Sequence, residues 1–97
     1  PPHKFGKAFL FSVTKTMKYC VYILKSLHTG KHYFGHTQDL EERIDRHNQG
    51  RAPATRGKGT WKLIYHEVFV STAKAMAREK FFKSYPGWRW LKNEGIT

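Results

Sequence analysis

Apolar and polar positions along the chain fall into short, clearly bounded blocks. Tyr19-Cys20-Val21-Tyr22-Ile23-Leu24 is an unbroken β-branched and aromatic run, the pattern of a strand buried on both faces. A turn over residues 26–30 leads into Lys31-His32-Tyr33-Phe34-Gly35, so the two runs read as a β-hairpin. With an even number of residues in its loop, Tyr22 and Tyr33 project from one face, because their numbers sum to an odd value. A helix follows, capped by Thr37 or Asp39. Asp39 with Glu42 three residues on has capping-box spacing, and Gly50 ends the segment. Leu40, Ile44 and His47 form its inward stripe, with Arg43 beside it. Residues 61–70 read as a third strand, with Leu63, Tyr65, Glu67 and Phe69 on one side and Ile64, His66 and Val68 on the other. Ser71 or Thr72 caps a helix to about Ser84, Pro86-Gly87 breaks it, and residues 88–93 make a short last helix. The order β-β-α-β-α-α predicts an α+β domain, a small three-stranded antiparallel or mixed sheet flanked by helices.

Composition narrows the partners. The chain has 97 residues, 15% of them aromatic, enough for one small core. Eighteen Lys and Arg against seven acids give +11, a field that attracts phosphate: nucleic acid first, an anionic membrane surface second. Residues 1–16 carry Lys4, Lys7 and Lys15 and no acid. They are expected to be a disordered tail or expression remnant, because the apolar stretch at 8–13 is too short for a secretory leader. Residues 17–97 are then the single domain and still carry +8. No apolar run approaches the ~20 residues that span a bilayer, so no membrane partner is expected. The lone Cys20 forms no internal disulfide and fits a reducing, cytoplasmic compartment as a small buried hydrophobe.

Acids are scarce, so their positions carry information. Asp39, Glu41, Glu42 and Asp45 crowd the first helix and read as a solvated face. Glu79 is the one carboxylate between Val68 and Asn93, among six basic residues. Two readings stand open: an ion pair with Lys83 one turn on, or a hard oxygen ligand for Mg²⁺. Arg43 and His47 share a helical face. An arginine fork suits a phosphate oxygen, and a histidine can move a proton near neutral pH. Against that, a histidine at a helix C-terminus is favoured by the dipole alone, and tyrosines at 22 and 33 are ordinary core residues. Arg46, Arg51, Arg56, Lys58 and Lys62, with no acid across residues 46–62, are expected to form a basic rim for DNA.

Cys20-Val21-Tyr22 and Tyr33-Phe34-Gly35 resemble the two half-motifs of the GIY-YIG nuclease superfamily. His36-Thr37-Gln38-Asp39-Leu40-Glu41-Glu42-Arg43 and His47-Asn48-Gln49-Gly50 look like its first helix. Thr55-Arg56-Gly57 with Trp61-Lys62-Leu63-Ile64-Tyr65 resembles the loop and third strand of its small single-domain branch, and Ala77-Arg78-Glu79-Lys80 with Lys83 its metal-site helix. The likeness extends to the catalytic domain of the bacterial excision-repair incision nuclease. Cys20, Val21 and Phe34 replace the Gly, Ile and Ile of the motif name, at packing positions. The resemblance implies a metal-dependent endonuclease hydrolysing DNA, duplex or branched, in repair or recombination, within a larger repair complex. It implies that Glu79 holds a single Mg²⁺ or Mn²⁺, that Arg43 steadies phosphate charge and that Tyr22, supported by Tyr33, orients or deprotonates water. His36 and His47 assist, and Gly35 is the structural glycine. These groups should meet on one concave face of the sheet. A DNA-binding module that does not cut and a small basic ribonucleoprotein component are the alternatives.

Overall fold

A computed structural model describes residues 18–97; the expected tail and Met17 lie outside the described residues. Strands β1 (Tyr19–Ser26), β2 (His32–Thr37) and β3 (Trp61–Phe69) alternate with helices α1 (Leu40–Asn48), α2 (Thr72–Phe82) and α3 (Tyr85–Asn93) in the expected order. The sheet order is β2-β1-β3 and both pairings are antiparallel. The apolar run lies in the central strand, where Cys20 to Leu24 lose all contact with water. Alternation sends Cys20, Tyr22 and Leu24 into one core with Leu40, Ile44, Trp61 and Tyr33. Val21 and Ile23 enter a second core with Phe82, Leu91 and Trp88, so α1 covers one face and α2 with α3 the other.

The helix ends follow their caps. Asp39 accepts from the Glu42 N–H at 3.1 Å, but Glu42 does not return the bond: Thr37 Oγ1 takes the Asp39 N–H, and Glu42 turns to Arg51 and Arg46 instead. Ser71 and Ser84 cap α2 and α3.

Three boundaries differ from the sequence pattern. β2 runs on through His36 and Thr37, whose pairing with Val21 and Cys20 extends the ladder. In β3 the pairing shifts by one residue between Ile23–Tyr65 and Leu24–Leu63, a bulge at Ile64. Strict alternation therefore fails there: Leu63 joins the α1-side core, while Ile64 and Tyr65 both join the other. Pro86-Gly87 does not break a helix but opens α3, which begins at Tyr85. A proline fits the first turn because its missing N–H would have had no partner there. Glycine is required next, since a Cβ at Gly87 would run into the Phe81 carbonyl.

Arg78 ties the second layer together. Its guanidinium holds both Glu67 oxygens, at 2.8 and 3.2 Å, and lies over the rings of Phe81, Phe82 and Trp90. Tyr65 Oη donates to the same carboxylate at 2.5 Å. Arg78→Ala should therefore cost about 2 kcal/mol in urea unfolding, through lost stacking and a half-buried Glu67 left without its cation. A midpoint equal to the parent's would remove this role.

Candidate active site

Tyr22 lies at the middle of β1 and is fully buried. Its phenol crosses directly over Gly35 of the neighbouring strand, where a Cβ would come within 2.6 Å of Tyr22 Oη. That close approach, not a turn, is why β2 carries a glycine after Tyr33 and Phe34. Hairpin parity places Tyr33 on the same face, its ring 6.3 Å from that of Tyr22. Helix α1 delivers His47 between them: Nε2 stands 3.0 Å from Tyr22 Oη, and the imidazole centre lies 4.6 Å from the Tyr33 ring. His47 Nδ1 meets Thr55 Oγ1 of the following loop at 2.8 Å, and both residues are buried.

Burial pushes the Tyr22 phenol well above its ordinary range; Tyr33 and Glu79 add to the rise, and the adjacent Arg43 cation opposes it. Burial also lowers the pKa of His47, helped by the Arg43 and Arg46 charges. At neutral pH this imidazole is uncharged, one nitrogen bearing hydrogen and the other accepting. It is therefore not a cation held by the helix dipole. Arg43 Nε is buried and has no hydrogen-bond partner among the described residues.

Glu79 reaches the site from α2, on the other side of the sheet. His36 pairs with Val21, whose face it shares, and its Nδ1 lies 2.6 Å from Glu79 Oε1. Lys83 Nζ donates to Oε2 at 2.7 Å. Desolvation raises the carboxyl pKa, but the bonds from Lys83 and His36 outweigh it, so Glu79 is held below the usual range and ionised. The expectation of one concave face is corrected here. Tyr22, Tyr33 and His47 share a face, whereas His36, paired with Val21, lies with Glu79 on the side that α2 covers, because alternation turns His36 away from Gly35. The carboxylate remains near enough for its charge to act on Tyr22. Of the two readings of Glu79, the ion pair with Lys83 is formed.

No group of three or more His, Cys, Asp or Glu side chains suited to a metal occurs among the described residues. A divalent ion would rest on Glu79 with water and phosphate oxygens completing its shell, the usual habit of Mg²⁺. The donor chemistry fits: a mostly buried ionised carboxylate whose outer partner, Lys83, is half exposed on a flexible stem.

The family model of the GIY-YIG catalytic domain matches residues 18–86. The chain belongs to the GIY-YIG family. The family is one of endonucleases. The chain is 45% identical over 64 residues to a UPF0213 protein of Clostridium perfringens, covering 65% of this chain and 68% of that one. It is 34% identical over 76 residues to a UPF0213 protein of Staphylococcus saprophyticus, covering 77% and 92%. A solution NMR structure of a UPF0213 protein from Bacillus halodurans is 35% identical, with a TM-score of 0.49 over 79% of this chain and 84% of that one.

Around this GIY-YIG core the five expected rim residues are all exposed. Arg46 and Arg51 share Glu42, at 4.0 and 3.7 Å. Arg56 and Lys58 brace their own loop through the Gly50 and Ala54 carbonyls. Lys62 stands across from Lys25, on the face opposite Tyr22. Thr55 received no role from the sequence, although Thr55-Arg56-Gly57 belongs to the motif; spacing gave no sign that its hydroxyl reaches His47. His66, seen only as a strand residue, is buried directly across from Tyr22. Burial pushes the Cys20 thiol up to about 11, that of an inert core residue. No helix among the described residues is long and apolar enough to cross a membrane.

Proposed function

We propose that this GIY-YIG domain is a Mg²⁺- or Mn²⁺-dependent endonuclease that hydrolyses DNA phosphodiester bonds in a cytoplasmic repair or recombination setting, on duplex or branched DNA. The observation that carries the reading is the buried, unpartnered Arg43 Nε beside Tyr22. An arginine beside the Tyr22 hydroxyl, with no carboxylate partner among the described residues and its buried Nε unused, suits a phosphate oxygen, whose charge it meets in the ground state and more strongly in the transition state. The attacking water gives a proton to the Tyr22 oxygen as the phenol passes its own to His47 Nε2. The resulting hydroxide forms the new P–O bond while the bond to the leaving sugar oxygen breaks, and that oxygen takes a proton from solvent water to become the product hydroxyl. Burial first, and then the Arg43 and Arg46 charges, make His47 a weak base; the arriving phosphate offsets the charge part and eases the transfer. Tyr33 packs against the imidazole and limits its rotation. Glu79 would hold the divalent ion, with His36 orienting its carboxylate; the ion, when bound, supplies charge neutralisation for the phosphate and the leaving oxygen.

Nicking of supercoiled plasmid tests this. The parent protein should relax plasmid with Mg²⁺ or Mn²⁺ and not in EDTA. Retention of DNA with no cutting in either metal would favour the binding module instead.

Binding itself should be strongly salt-dependent. Each phosphate contact contributes ~0.9 to the log–log slope on duplex DNA, so neutralising Arg56 and Lys58 together should flatten it by about 1.8. An unchanged slope, read by fluorescence anisotropy from low to moderate salt, would take the DNA contact away from this loop.

A further inference from the structure

We propose that Thr55 is a positioning residue: its buried hydroxyl fixes the tautomer of His47 so that Nε2 is the bare nitrogen facing Tyr22. The proposal rests on the nuclease reading for its consequence, but not for its structural content. Four groups form a continuous buried chain. Tyr22 Oη lies 3.0 Å from His47 Nε2, His47 Nδ1 lies 2.8 Å from Thr55 Oγ1, and Thr55 Oγ1 lies 3.4 Å from the Ala52 carbonyl. Tyr22, His47 and Thr55 are all at most 2% exposed, so the two imidazole bonds are made within the core of the DNA-free protein.

The Tyr22 end of the chain sets its direction. The Ala52 carbonyl already accepts the Thr55 and Arg56 N–H groups at 3.1 Å, so the Thr55 hydroxyl, 3.4 Å away, meets it only weakly and has a lone pair to offer His47 Nδ1. At the other end the Arg43 guanidinium can only donate, and it lies where it favours negative charge on the Tyr22 oxygen. The Tyr22 hydroxyl is fully buried with that donor beside it, so its own hydrogen goes to His47 Nε2 at 3.0 Å. Nδ1–H donates to Thr55, Nε2 is left with its lone pair, and the Tyr22 hydroxyl donates to it. The opposite tautomer would aim Nε2–H at the Tyr22 oxygen and block the proton path from phenol to imidazole.

Thr55 is itself held. Its N–H donates to the Ala52 carbonyl at 3.1 Å, and Trp61 Nε1 donates to the Thr55 carbonyl at 3.2 Å. The loop after α1 therefore does more than present Arg56 and Lys58. It supplies the acceptor that an imidazole needs on its far nitrogen to keep one tautomer.

Thr55→Val keeps the shape and removes the acceptor, whereas Thr55→Ser keeps the acceptor. Long-range ¹H–¹⁵N spectra of the His47 ring, with folding checked by the amide spectrum, read the tautomer directly. The parent and Thr55→Ser should show hydrogen on Nδ1, and Thr55→Val should lose that signature. In plasmid nicking, Thr55→Val should lower kcat about 10- to 100-fold with KM for DNA unchanged, and Thr55→Ser should restore it. A parent spectrum with hydrogen on Nε2 overturns the proposal whether or not any variant folds. So does a folded Thr55→Val that keeps Nδ1–H or cuts at the parent rate. If the parent does not cut DNA, the spectra still decide the tautomer, so failure of the nuclease reading is told apart from failure of this one.

Discussion

Replacing Glu79 with Ala should abolish metal-dependent nicking and leave DNA binding in EDTA equal to the parent's or tighter. The two effects have opposite signs because the carboxylate plays opposite parts. In the metal-free protein it is a negative charge in a site that must accept a polyanion, and it ties down Lys83 at 2.7 Å and His36 at 2.6 Å. Removing it frees the Lys83 cation toward phosphate, which raises affinity. With metal present it is the one acidic side chain that the site offers the ion, so its loss removes the charge neutralisation that hydrolysis depends on. Stability should change little at neutral pH, because Lys83 is 53% exposed and such pairs contribute little. The folded Glu79 carboxyl has a lowered pKa, so whatever stability it contributes is present above its unfolded pKa and lost as pH falls through the folded one. The variant's acid limb should therefore be flatter. Anisotropy in EDTA and nicking in Mg²⁺ make the measurement. A Glu79→Ala protein that nicks at the parent rate would reduce Glu79 to an ion-pair partner.

Tyr22→Phe should fold and bind DNA as the parent does yet cut about 10²- to 10⁴-fold more slowly, the usual share of a general acid–base group. The ring keeps its packing over Gly35, where the space is set by the absence of a Cβ. What disappears is the hydroxyl 3.0 Å from His47 Nε2, which leaves a buried acceptor unmet at about 1–2 kcal/mol of stability. Single-turnover cleavage beside thermal unfolding separates the two effects. Cleavage within a few-fold of the parent, with folding intact, would return Tyr22 to the core.

Parts of this site were readable along the chain, and each such part depends on a local rule. The shared face of Tyr22 and Tyr33 follows from hairpin parity, which involves only the count of residues between them. Asp39, Ser71 and the end of α1 at Gly50, which has φ 72°, follow from side chains and backbone groups within three residues of one another. The isolation of Glu79 among cations is a property of the list of residues itself. The seam at Ile64 and the start of α3 were misread for a common reason. A bulge and a proline-opened helix are settled by what packs on either side, and their local patterns equally suit a straight strand and a broken helix.

Composition and order were enough for the α+β class, the two-sided burial of β1 and the basic field. They name tyrosines, an arginine, histidines and a carboxylate, but no local pattern says which of them meet. His36 meets Glu79 across 43 residues and Tyr22 meets His47 across 25, and both contacts depend on which side of β1 each helix docks. That choice is made by the cores: Leu40 and Ile44 seat α1 over Tyr22, while Phe82 and Leu91 seat α2 and α3 over Val21 and Ile23. Once both layers are packed, Glu79 meets His36 on the α2 side of β2 and Thr55 meets His47 Nδ1. Those two placements turn a set of chemically suitable residues into a site with a direction for its proton.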